Sequence, residues 1–179
     1  DKSLYQTESD VEQKFIYPLL AEVLRYGADE IKTKDYLAPT VLDKGAGKKM
    51  GYYPDYAIYI AGLPCIVIEV KDIGTPAAEG YREARMYAGE VNKRYPHNLN
   101  PIKYVVATNG DRLIYSPWDS EADSKDLDLN DLRPGVAVFE TFVAELHRNV
   151  LLKHAIETRK TLLPVKRIRP LSLIGGASR

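Results

Sequence analysis

Two carboxylates and a lysine, Asp55, Glu69 and Lys71, bracket a pair of apolar runs in YPDYAIYIAGLPCIVIEVK, residues 53–71. In extended chain, side chains two apart share a face. Cys65, Val67, Glu69 and Lys71 are therefore expected on one side, and Ile66, Ile68 and Val70 on the other. Both charges thus close a strand that otherwise reads as buried. A carboxylate and an ammonium taken out of water are costly unless paired, hydrogen-bonded or bound to a metal. Metal-dependent phosphodiester hydrolysis gives such a set a use. A divalent ion polarises the phosphate, a water is oriented for in-line attack, and the leaving oxygen is stabilised. Hard ions such as Mg²⁺, or Mn²⁺ in its place, take oxygen ligands, and Asp55 with Glu69 on adjacent strands supplies the minimum. Lys71, on the face of Glu69, is placed to hold the attacking water or to balance charge. Glu8 and Glu12, one turn apart beside the apolar stripe of a first helix, offer a further carboxylate.

The elements that must position these residues follow from hydrophobic spacing. Val11, Phe15, Ile16, Leu19, Leu20 and Val23 predict a helix over Glu8–Tyr26, capped by Thr7 or Ser9, kinked or delayed by Pro18 and stopped at Gly27. Residues 31–42 are weakly strand-like, and DKGAGKKMG forms a basic loop ahead of the strand pair, with Gly62-Leu63-Pro64 as the turn between the strands. Thr75-Pro76 reads as a cap and first position of a polar helix running to about Arg94. IKYVVATNG and RLIYS form a hairpin with Asn109-Gly110 at its corner. Residues 117–134 read as acidic and irregular, and 138–163 as one helix. Strands alternating with helices predict an α/β domain over residues 1–163, a central mixed sheet covered by helices, with 164–179 as a linker to further domains.

Composition sets the bounds. The 179 residues, 45% of them hydrophobic, can bury one core. Acids and bases balance at 25 each, so any nucleic-acid contact must come from local clusters such as Lys44, Lys48 and Lys49. The lone Cys65 excludes an intrachain disulfide and suits a reducing cytoplasm. No apolar run approaches a membrane span, and the N-terminal residues do not read as a signal peptide.

Pro54-Asp55 followed by Glu69-Val70-Lys71 across neighbouring strands resembles the signature of the PD-(D/E)xK nucleases. More narrowly, the chain resembles the N-terminal nuclease domain of type I restriction enzyme R (HsdR) subunits. Glu8 ahead of Ile16-Tyr17-Pro18-Leu19-Leu20 and the turn Thr108-Asn109-Gly110 both match that domain, so the likeness runs over about residues 7–116. It implies a restriction-endonuclease-like fold and a Mg²⁺-dependent endodeoxyribonuclease in a prokaryotic defence enzyme. Asp55, Glu69 and the Val70 carbonyl would bind the ion, Glu8 would hold it directly or through water, and Lys71 would position the nucleophilic water. Many relatives carry Gln-x-x-x-Tyr on the next helix, whereas this chain has Glu83 and Tyr87, a Gln replaced by an acid. DNA, and in that family other subunits of a restriction complex, are the partners implied, and double-strand cutting with one site per chain favours a homodimer.

Plainer readings stand beside these. Glu69 and Lys71 could pair at a strand end with Asp55 in a turn, and the fold could serve as a catalytically silent module that binds DNA or a partner. The lysine loop lacks the leading Gly and the Ser or Thr of a phosphate-binding P-loop. The acidic run from Asp126 has Asp131 where a calcium loop needs Gly. His97, His147 and His154 are too dispersed for zinc. Tyr52, Tyr53 and Tyr56 read as packing or sheet-surface residues and not as stacking platforms.

Overall fold

The computed structural model describes Tyr5, residues 7–34 and residues 53–162, apart from the side chain of His97. Lys44, Lys48, Lys49, Tyr52 and the linker 164–179 lie outside the described residues.

The first helix, α1 (residues 8–23), opens on a reciprocal capping box. Thr7 Oγ1 accepts the Asp10 N–H at 3.2 Å, and Asp10 Oδ2 accepts the Thr7 N–H at 3.1 Å. After an α-helical turn over Glu8–Val11 it widens into π turns over Glu12–Ile16 and Leu19–Val23. Pro18 lies between them, so the expected disturbance takes the form of π geometry, in which the bond that proline cannot donate is bypassed. The helix stops at Val23 and Arg25 turns left-handed (φ 66°), so the stop falls before Gly27.

Six strands lie side by side in chain order: β1 (Ile31–Thr33), β2 (Tyr56–Ile60), β3 (Leu63–Val70), β4 (Tyr104–Thr108), β5 (Arg112–Pro117) and β6 (Lys125–Asp128). All neighbours are antiparallel except β3 and β4, which run parallel because the helix α2 (Ala77–Asn92) carries the chain back between them. β3 is buried at every position because it has strands on both sides and helices on both faces. α1 packs on one face of the sheet with α3 (Ala137–Leu146) and α4 (Arg148–Leu162), over Ile66, Ile68, Val70, Val106 and Leu113. α2 covers the other, setting Tyr81, Ala84, Ala88 and Val91 against Val67, Val105 and Ala107. Each buried Val, Leu or Ile among them contributes about 1.5–3 kcal/mol, and each alanine less.

The mixed α/β fold is the one expected, with local corrections. The β2–β3 turn is Ala61-Gly62, with φ of 52° and 80°, the left-handed pair that a two-residue hairpin takes, and Leu63-Pro64 already belong to β3. The register shifts opposite Ile58 and Tyr59, which leaves Cys65 as the extra residue of a bulge. Cys65 consequently packs with Ile66 and Ile68 and not with Val67. Thr75 does not cap α2: Pro76 is the cap residue and contributes no side-chain hydrogen bond, and the helix starts at Ala77 and ends at Asn92. The region read as irregular holds the edge strand β6, and the final helix is two helices broken at His147 (ψ 139°).

Candidate active site

Register brings the two signature carboxylates together. Tyr56 opens β2 opposite Ile68, so Asp55, the residue before it, stands level with the Glu69-Val70 end of β3. Asp55 Oδ2 accepts the Val70 N–H at 2.7 Å, a bond that fixes the aspartate across the gap between strands. Glu69 is 3% exposed and its Oε1 has no hydrogen-bond partner. Burial, reinforced by the negative charge of Asp55, pushes the Glu69 carboxyl up to about 9. A buried oxygen without a donor is costly, and a cation beside it would remove that cost.

Lys71 is held from the other side by α2. Its Nζ donates to Glu83 Oε2 at 2.7 Å and lies 3.8 Å from Glu69 Oε2. Burial works against the ammonium, but Glu83, Glu69 and Asp55 outweigh it and raise its pKa above the ordinary lysine value. Lys71 is thus a standing donor and not a base near neutrality. α2 approaches this closely because residue 80 is glycine. A Cβ there would lie 3.2 Å from the Glu69 Cβ and 3.3 Å from the Lys71 Cγ. One turn beyond Glu83, burial and the charges of Glu69 and Glu83 push the Tyr87 phenol up to about 12.

α1 closes the third side. Glu8, Glu12 and Asp55 each present an oxygen such that all lie within 4.8 Å of one another. Burial and the charge of Asp55 raise the pKa of Glu8. The π turn that begins at Glu12 is tied to β2 by Tyr56, whose hydroxyl donates to the Glu12 carbonyl at 3.2 Å. Lys34 completes the group. Its Nζ lies 3.4 Å from Glu12 Oε1 and 3.7 Å from Asp55 Oδ1.

The Thr108-Asn109-Gly110 turn is a buttress. The Thr108 carbonyl accepts the Lys71 N–H at 2.8 Å, and Asn109 Nδ2 donates to the Thr75 carbonyl at 2.9 Å, joining β4 to the end of β3 and to the approach to α2. Gly110 has φ 82°, and a Cβ on it would meet Val11 Cγ2 at 3.0 Å, so α1 packs directly over the turn.

Asp55, Glu69, Val70, Lys71, Glu8, Glu12, Glu83 and Tyr87 therefore converge on one end of β3, while Lys48 and Lys49 lie outside the described residues. Glu8 and Glu12 contribute alike. Glu83, the acid that stands where many relatives carry Gln, pairs with Lys71. Lys34 escapes sequence reasoning, since nothing in its spacing separates it from other surface lysines. The donor set suits a hard divalent ion: Glu8 and Glu12 from α1 and Asp55 ahead of β2 bring oxygens within 4.8 Å of one another, and Glu69 of β3, outside that group, adds a buried oxygen without a partner.

Comparison with known proteins bears on the fold and on the segment that carries Asp55, Glu69 and Lys71. Residues 41–121 match the family model of the type I restriction enzyme R protein N terminus. No curated protein matches the chain. Among solved structures it is similar to a fragment assigned as an HsdR subunit of a type I restriction enzyme from Vibrio vulnificus YJ016, with 21% identity and a TM-score of 0.51. That match covers 69% of this chain and 23% of the other, so the likeness is one of fold and the chain spans under a quarter of its neighbour. The resemblance to the R-subunit N terminus and the α/β fold thus rest on independent comparisons, and the matched segment has the pattern of a type I restriction enzyme module.

Proposed function

We propose that this chain is a Mg²⁺-dependent endodeoxyribonuclease domain, the cleavage module of a type I-like restriction enzyme, working in the cytoplasm with DNA and the enzyme's other subunits. One observation carries the reading: Glu69 Oε1 is buried without a partner beside Asp55, where α1 delivers Glu8 and Glu12. Asp55, Glu69 and the Val70 carbonyl would hold the ion, with Glu8 and Glu12 joining directly or through water. Bound there, it would supply charge for the phosphate and lower the pKa of a water. Lys71, kept protonated, orients the attacking water by donating to its oxygen. Glu83 fixes the ammonium at 2.7 Å, Gly80 leaves room for it, and Tyr87 backs the pair from the next turn of α2.

The silent-module reading has one observation in its favour, the neutralisation of Lys71 by Glu83. Nicking of supercoiled plasmid with Mg²⁺ or Mn²⁺, wild type beside Lys71→Ala, separates the two. Cleavage by the wild type and a loss of roughly a hundredfold or more in the variant is expected. Equal cleavage by both proteins would remove Lys71 from the chemistry. No cleavage by the wild type, even with its partner subunits supplied, would establish the silent module.

A further inference from the structure

Lys34 stands just beyond β1 in a left-handed conformation, φ 48°, that residues with a side chain adopt rarely and at a cost. Its backbone N–H donates to the Asp55 carbonyl at 3.1 Å, so the residue is tied to Asp55 by main chain as well as side chain. The two acids it faces are largely shielded, their side chains 16% and 11% exposed, whereas the lysine is 61% exposed. An ordinary surface pair gains little because both charges stay in water. Here the shielded partners belong to a group of three carboxylates within 4.8 Å of one another, and their mutual repulsion makes a resident cation valuable.

Resting on the nuclease reading above, we propose that Lys34 is the internal counter-ion of this cluster: a divalent cation displaces it, and its ammonium then engages a backbone phosphate of the DNA. The oxygens it faces, Glu12 Oε1 and Asp55 Oδ1, belong to two of the three carboxylates that bring ligand atoms together. Ammonium and ion repel each other and compete for the same lone pairs. A long, exposed side chain can leave without disturbing the core, and beside an ion that holds phosphate it becomes a point-charge contact for that anion. Lys34 would then couple metal loading to substrate binding, raising the metal concentration needed in exchange for a grip on DNA.

The test compares wild type, Lys34→Met and Lys34→Arg in three readouts. Without metal, Lys34→Met melts below wild type and Lys34→Arg melts with it. By titration calorimetry, Mn²⁺ binds Lys34→Met about three- to tenfold more tightly, the size expected for removing one competing charge. With Ca²⁺ in place of Mg²⁺, a short duplex binds Lys34→Met more weakly, and the slope of log affinity against log salt falls by about one. Equal or weaker Mn²⁺ binding by Lys34→Met, or an unchanged DNA salt slope, overturns the proposal. Wild type that takes up no Mn²⁺ overturns the nuclease reading itself. In that case the metal-free melting of Lys34→Met still decides whether the lysine is the cluster's counter-ion.

Discussion

Glu30 and Glu69 are both buried glutamates, 9% and 3% exposed, and the molecule treats them in opposite ways. Glu30 is fully satisfied. Arg148 grips it with Nε and Nη2 at 2.8 and 2.7 Å, and the Gly27 N–H adds a bond at 3.0 Å. Burial pushes its carboxyl up, yet Arg148 and Gly27 overcome this and hold it below the ordinary value. Glu69 has the opposite balance. It keeps one oxygen without a partner, its nearest cation is shared with Glu83, and it is pushed up to about 9. The contrast separates a carboxylate used to build from one kept open for a ligand. The Glu30 pair joins α4 to the end of α1, where Arg148 N–H also donates to the Leu24 carbonyl and the Tyr26 hydroxyl to the Leu146 carbonyl. A buried carboxylate left incomplete beside other acids marks a place where function overrides stability.

Breaking the satisfied side should have the largest effect. Arg148→Met strands a shielded carboxylate, and after allowing for the third of Arg148 that faces solvent it should cost about 2–3 kcal/mol, lowering the melting temperature by roughly 5–10 °C. A drop under about 2 °C would show that the pair is a surface ornament. A smaller effect follows in acid. Because Glu30 is held low in the fold, its contribution is present above the ordinary carboxylate pKa and is lost as pH falls through its lowered folded value. The gap in stability between wild type and Arg148→Met, followed by denaturant unfolding, should therefore be constant near neutrality and close only in strong acid. A gap that closes above pH 6 would assign it to some other group.

The smallest effect sharpens the other side of the comparison. Glu69 is raised in the metal-free fold, so it contributes nothing below its unfolded pKa and destabilises increasingly as pH climbs toward 9. Glu69→Gln should raise the metal-free melting temperature by a few degrees at pH 8 and hardly at all at pH 5. A loss of stability at both values would mean that the glutamate is structural.

Much of this was legible in the sequence, and the exceptions have physical causes. Helical spacing revealed α1, and short apolar runs bounded by turn residues revealed β2 through β5, because those segments bury one face or both. β6 hid because only Leu127 of its four residues is buried, the others being charged residues on a sheet edge with Asp126 paired to Arg112. The break at His147 hid because apolar spacing continues through it with no Gly or Pro to mark it. Asp55, Glu69 and Lys71 were visible because charges interrupted apolar strands. Lys34 was not, since it reaches the cluster through a left-handed turn that leaves no mark on spacing. The approach of α2 at Gly80 likewise needed coordinates, a glycine in a helix being otherwise only a weak point.

The central claim, that Glu69 is open because a divalent ion completes it, is tested most directly by Mn²⁺-induced thermal stabilisation of wild type beside Glu69→Gln and Arg148→Met. The account predicts that Mn²⁺ raises the melting temperature of wild type and of Arg148→Met by similar increments, while Glu69→Gln loses the increment. A wild type indifferent to Mn²⁺, or a Glu69→Gln variant stabilised as much as wild type, would contradict it.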